Sequence, residues 1–291
     1  MRKYLPHILI ITFVFLLAPT VQVASYAGEI EDAKEEVRKN PDDAEVHNNL
    51  GKAYFDSGKW KKAIESYKQA IKINPDFAMA HKNLGFAYYE LGKYKEEIES
   101  YKQAIRIDPD YRDAHFNLGL AYYELGKYEE AFESYKQAIR IDPDDADAHY
   151  NLGIAYHDSG KYEEAIESYK QAIKINPDDA KVHFNLGNVY FDSGKWKKAI
   201  ESYKQVIRID PDDAKAHANL GLAYDESGKH QEAIESHKQA IKINPDDALA
   251  HFNLGLAYVD INDRDSALEQ YEILKKLDSE KANELFDEIN K

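Results

Sequence analysis

The sequence predicts an all-α fold, a solenoid of seven stacked two-helix units with a capping helix at each end. Three observations predict it. Proline recurs every 34 residues, as Pro41, Pro75, Pro109, Pro143, Pro177, Pro211 and Pro245. Glycine pairs keep the same period, from Gly51/Gly58 through Gly221/Gly228. Between these marks, apolar residues return at helical spacing. A fixed period of this length signals supersecondary units that stack to bury their apolar faces.

The chain begins with what reads as an export signal over residues 1–27. Arg2 and Lys3 give a positive start, Ile8 to Ala18 is apolar apart from Thr12, and Ser25-Tyr26-Ala27 offers small residues at a cleavage site. The alternative is an uncleaved anchor, although a membrane span needs about 20 apolar residues. Residues 28–43 follow as an N-terminal half-repeat, with Glu29 to Lys39 as a lone helix before Pro41.

Residues 44–281 hold the seven repeats, whose positions 1–34 start at Ala44, Ala78, Arg112, Ala146, Ala180, Ala214 and Ala248. In the first, Asp42 and Asp43 supply carboxylates to the free N–H groups that open a helix. Leu50 and Tyr54 lie one turn apart on its apolar face. Gly51 admits a neighbouring backbone, and Gly58 ends the helix in the left-handed conformation. A second helix spans Trp60 to Ile73, with Ile64, Tyr67, Ala70 and Ile71 at helical spacing, until Pro75 stops it. Phe55–Gln69 and Phe191–Gln205 are identical, which suggests duplication of a four-repeat block. In the last repeat Asn262 replaces the turn glycine and Ser279 the proline, and residues 280–291 form a C-terminal capping helix. Terminal units of a solenoid depart from the pattern because they cover its exposed ends.

The pattern His47-x2-Leu50-Gly51-x2-Tyr54, then Ala63-x3-Tyr67, then Pro75, resembles the tetratricopeptide repeat, with His in place of the usual Trp. The resemblance covers residues 44–281. It implies antiparallel helix pairs stacked into a right-handed superhelix whose concave groove is lined by positions 2, 5, 6, 9, 12 and 13 of the first helices.

Composition removes several chemistries. A formal charge of −15 opposes nucleic-acid binding. With no Cys, thiolate catalysis, disulfides and Cys-based zinc sites are excluded. Position 4 is His in every repeat, from His47 to His251, but neighbouring units lie roughly 10 Å apart, given helix packing distances of 8–10 Å. Zinc ligands must reach within about 2 Å of one centre. These imidazoles read as packing residues, and the chain is expected to hold no metal and no cofactor. The Asp-Pro-Asp-Asp turns lack the loop length and terminal Glu of a calcium site. Ser57-Gly58-Lys59 has neither the glycine spacing nor the hydroxyl of a phosphate loop. Residues repeated seven times make poor candidates for one catalytic centre, so the chain is expected not to be an enzyme.

The groove supplies the candidate site. Position 6 is Asn throughout: Asn49, Asn83, Asn117, Asn151, Asn185, Asn219 and Asn253. A side-chain amide both donates to and accepts from peptide backbone. Rungs roughly 10 Å apart would meet an extended chain, rising about 3.3 Å per residue, at every third residue. Positions 5 and 12 add aromatics, among them Tyr89, Phe116, Tyr123, Tyr150, Phe184 and Phe191. Position 13 is always acidic, as in Glu124, Asp158 and Asp192. Aromatics edged by carboxylates suit a protein or peptide partner with basic and apolar side chains. The family's clamp for a chaperone-tail carboxylate is not assembled. Asn188 and Asn219 match it, whereas Phe184, Leu249 and Asn253 do not.

These readings converge on an exported, periplasmic or secreted, non-catalytic scaffold that binds a peptide or protein in its groove. The alternatives are a self-associating structural protein, or a non-catalytic subunit of an envelope secretion or glycosyl-transfer machine.

Overall fold

The computed structural model describes residues 21–291, and among these every regular element is an α-helix. Helix α1 (Val21–Lys39) precedes seven pairs. The pairs are α2 (Ala44–Asp56) with α3 (Trp60–Ile73), α4 (Ala78–Tyr89) with α5 (Tyr94–Ile107), α6 (Arg112–Glu124) with α7 (Tyr128–Ile141), and α8 (Ala146–Asp158) with α9 (Tyr162–Ile175). Then come α10 (Ala180–Asp192) with α11 (Trp196–Ile209), α12 (Ala214–Glu226) with α13 (His230–Ile243), and α14 (Ala248–Asp260) with α15 (Arg264–Leu277). Helix α16 (Ser279–Ile289) closes the chain. The basic start and apolar run read as an export signal lie outside the described residues. Ser25-Tyr26-Ala27 lies inside α1, which starts well before the Glu29 expected from sequence. No helix among the described residues is long and apolar enough to cross a membrane.

The residues divide into two compact units, one reaching to Pro109 and one comprising Asp110–Lys291. In the first, each helix from α1 to α5 packs on the next. In the second, α6 to α16 do the same, and α16 also packs on α14.

Local chemistry explains the pairing. Gly58 turns the chain at φ 72°, and Asn262, the one described non-glycine residue at positive φ, does so at 61°. Asparagine tolerates this region better than most side chains. Asp43 rather than Asp42 caps α2, by accepting from the Glu45 N–H, and Asp145, Asp179, Asp213 and Asp247 cap their helices likewise. Phe77 and Tyr111 hold the same place before α4 and α6 and give no side-chain cap.

The close approach at position 8 is made by a ring, not by the backbone expected from sequence. A Cβ on Gly153 would lie 2.7 Å from Cε1 of Tyr169, and the same relation joins Gly51 to Tyr67 and Gly187 to Tyr203. Fully buried tyrosine rings therefore lie flat on glycine backbone, and buried alanines such as Ala165 and Ala172 flank them. In the sixth repeat His237 replaces the tyrosine over Gly221. In the seventh, Leu285 of α16 takes that place, and Tyr271 turns out to stack on Phe286 at 5.2 Å. Arg264 fixes α16 by donating to the Ile289 carbonyl at 2.6 Å and to the Asn290 side chain at 2.7 Å.

Candidate peptide-binding face

Within each unit, first helices of adjacent repeats lie side by side, so several residues meet the one 35 positions later. This register decides what the candidate residues do. Asn83 donates its amide to Asn48 Oδ1 at 2.9 Å, and Asn185 donates to the Tyr150 hydroxyl at 2.8 Å. Asn219 reaches Asn188 Oδ1 at 3.2 Å, and Asn151 bonds back to the Asp147 carbonyl of its own helix. Asn117 and Asn253 are buried, while Asn49 is exposed. The asparagines thus do not form the uniform row of free amides read from the sequence. Asn83, Asn185 and Asn219, all half-buried, are used to join neighbouring repeats.

Positions 12 and 13 form a second staircase. The Tyr123 hydroxyl donates to the Asp158 carboxylate of the next repeat, and His157 Nε2 meets Asp192 Oδ2 at 2.7 Å. Burial, reinforced by the bond to Asp158, holds the Tyr123 phenol well above its ordinary range. Glu124, Asp158 and Asp192 all remain solvent-exposed. The aromatic candidates are half-buried: Tyr89, Phe116, Tyr123, Tyr150, Phe184 and Phe191. Phe116, Tyr150 and Phe184 lean on Tyr135, Tyr169 and Tyr203, with centroids 5.8, 5.9 and 5.8 Å apart. Each ring therefore shows one edge to solvent from a fixed support.

Sequence reading missed what lies between them. Leu120, Ile154 and Leu222, at position 9, are half-exposed on the same helices and continue the apolar strip. The tetratricopeptide resemblance already put position 9 in the groove, but these side chains were not singled out from it. The position-4 histidines prove to be turn braces. His149 Nε2 lies 3.1 Å from the Pro143 carbonyl, and His183 Nε2 lies 2.8 Å from that of Pro177. The same bond recurs at His47, His81, His217 and His251, so each imidazole ties the inter-repeat turn to the helix after it. A different group converges where α12, α13 and α14 meet: Asp225, His230 and Asp260 place one donor atom each within 4.8 Å of the others.

Stacked helix pairs presenting an apolar, acid-edged strip on their first helices define a helical-repeat scaffold for protein contacts. A family model for the "Cilia and flagella-associated protein 70 C-terminal domain", a tetratricopeptide domain, matches residues 78–286, and a "TPR repeat" model matches residues 51–92. The chain belongs to the tetratricopeptide-repeat family, whose members are generally non-catalytic. Among curated proteins none matches. Among solved structures, a "MamA protein" is 30% identical with a TM-score of 0.57, over 60% of this chain and 95% of that one. MamA residues 41 to the end, from Desulfovibrio magneticus RS-1, are 26% identical with a TM-score of 0.55, over 58% and 96% of the two chains. The C-terminal part of a TPR repeat-containing protein from Cytophaga hutchinsonii shares the fold at a TM-score of 0.69 and 18% identity, over 79% and 95%.

Proposed function

We propose that the chain is a non-catalytic scaffold that binds an extended, basic and apolar peptide segment along the first helices of the Asp110–Lys291 unit. One observation carries this reading: the half-exposed strip of Phe116, Leu120, Tyr150, Ile154, Phe184 and Phe191, bordered by the exposed carboxylates of Glu124, Asp158 and Asp192. Anchored aromatics beside apolar side chains make a surface on which bound residues lose water, and a carboxylate edge selects cations. The asparagine amides left to a peptide are fewer than seven, so side-chain contacts outweigh backbone contacts.

Panning a random peptide display library on the exported chain tests this. Enrichment of Lys or Arg next to aliphatic or aromatic residues supports it, provided Ile154→Glu abolishes capture. Acidic consensus peptides, or none, overturn it. Export is part of the reading and rests on the N-terminal sequence. An intact mass beginning near Gly28 in protein from its native host supports export, and retention of Met1 argues for an anchor.

Self-association is the second reading. Ile273 and Phe286 are both exposed on the last helices, where a second copy would cover them. Light scattering over a concentration series separates this reading from the first.

A further inference from the structure

The staircase along positions 12 and 13 changes chemistry between the sixth and seventh repeats. Two earlier steps set a donor against an acid, Tyr123 against Asp158 and His157 against Asp192. Here the corresponding residues, Asp225 and Asp260, are both acids. His230 sits with them, its Nδ1 3.3 Å from Asp225 Oδ1 and 3.8 Å from Asp260 Oδ2. Its position in the first five repeats is Trp or Tyr, so the grouping occurs once in the array.

We propose that Asp225, His230 and Asp260 form a binding site for one divalent transition ion, with Zn2+ as the fitting probe, which ties the sixth repeat to the seventh. Ligand atoms 2.0–2.2 Å from a tetrahedral zinc stand about 3.4 Å apart, close to the spacing of His230 Nδ1 from both carboxylates. Asp260 has an exposed side chain, so torsion about its χ angles closes the remaining gap. One imidazole and two carboxylates leave a fourth position for water, the arrangement of an open rather than a closed zinc site.

A supporting residue lies behind the ligands. His237 is fully buried, and its Nε2 meets the other carboxylate oxygen of Asp225 at 3.4 Å, which leaves Oδ1 for the ion. Its Nδ1 has no hydrogen-bond partner, so Asp225 is the group this buried imidazole serves. Bracing of a ligand by a second hydrogen bond is a common feature of metal sites. Two carboxylates converging on one point give a cation something to neutralise. The donors come from α12, α13 and α14, so an ion there joins three helices across one repeat boundary.

Titration of the full chain with Zn2+ against a chromophoric chelator tests the proposal, using variants copied from sister repeats so that folding is preserved. One strong equivalent is expected in the unaltered protein. Asp225→Phe and His230→Tyr, as in repeats five and four, should each weaken it more than tenfold. His237→Tyr, as in the first five repeats, should weaken it about tenfold as a supporting residue. His217→Ala, which removes a turn brace in the same repeat, should leave it unchanged. Zn2+ should also slow hydrogen exchange across residues 214–260 in the parent and not in His230→Tyr. Absence of a strong equivalent, equal affinity in His230→Tyr, or loss of binding in His217→Ala overturns the site.

Discussion

The amide of Asn185 donates to the hydroxyl of Tyr150 one repeat earlier, at 2.8 Å, so a residue placed to grip a ligand instead holds two repeats together. Burial, with the charge of Asp179 adding to it, keeps that phenol above its ordinary range and therefore neutral. Tyr150→Phe keeps the ring on Tyr169 and removes only the acceptor. We expect it to destabilise the fourth and fifth repeats by about 0.5–1.5 kcal/mol, read from urea unfolding with repeat-resolved hydrogen exchange. Asn185→Ala should cost a similar amount, and the double variant little more. Additive losses would show that the two residues do not act through this bond.

Gly153 lies under the ring of Tyr169, which is 1% exposed and has nowhere to move. Alanine at an exposed helical position would add about 1 kcal/mol of helix stability over glycine. Here the overlap at 2.7 Å reverses the sign. Overpacking of 1–3 kcal/mol or more should lower the melting temperature of Gly153→Ala. An unchanged or raised melting temperature would mean that the ring yields.

The same rings set an alkaline limit. Burial raises the Tyr135 and Tyr169 phenols well above their ordinary range, and raises Tyr67 and Tyr203 as well. In the unfolded chain they lose protons near pH 10. The folded state favours the neutral form, so this contribution is intact below that pH and declines as pH rises above it. Urea unfolding by circular dichroism should therefore show stability falling steeply above about pH 10, with ionisation of these four phenols accompanying loss of helix. Ionisation of Tyr135 or Tyr169 in a fully helical protein would contradict this.

Much of the architecture could be read before any coordinates, because the residues that write it act locally. Gly58, Pro75 and the capping aspartates determine backbone conformation or nearby N–H groups whatever surrounds them. The site was less legible. Asn185 and Tyr150 are 35 residues apart, and only the lateral packing of first helices brings them together. Asp225, His230 and Asp260 come from three helices, so no short spacing announced them. His237 was visible as a departure from tyrosine, but its complete burial over Gly221 required the packed structure.

Glu97 occupies a place that is alanine in the other repeats, where Ala63, Ala131 and Ala165 are fully buried. Its own exposure is 3%. Withdrawing a carboxylate from water is costly even when polar neighbours receive it, whereas a methyl group meets no such penalty. Glu97→Ala should raise the melting temperature of the unit that ends at Pro109, measured by calorimetry. A clear loss of stability would assign the carboxylate a structural role there.

Binding of a basic peptide should weaken with salt, but only in part. The acidic edge is exposed, and its charges lie roughly 10 Å apart, near the Debye length at 0.1 M ionic strength. Asp158 and Asp192 are already bonded to Tyr123 and His157, which fixes them in place without removing them from solvent. The apolar strip of Leu120, Ile154 and Phe184 is insensitive to screening. Anisotropy titrations of a Lys-containing apolar peptide should therefore lose affinity up to a few tenths molar salt and then level off. Asp158→Asn should lower the low-salt affinity and flatten the dependence, whereas Ile154→Ala should lower affinity equally at all salt concentrations. Binding that strengthens continuously with salt would assign recognition to the apolar strip alone, and binding lost altogether would assign it to the carboxylates.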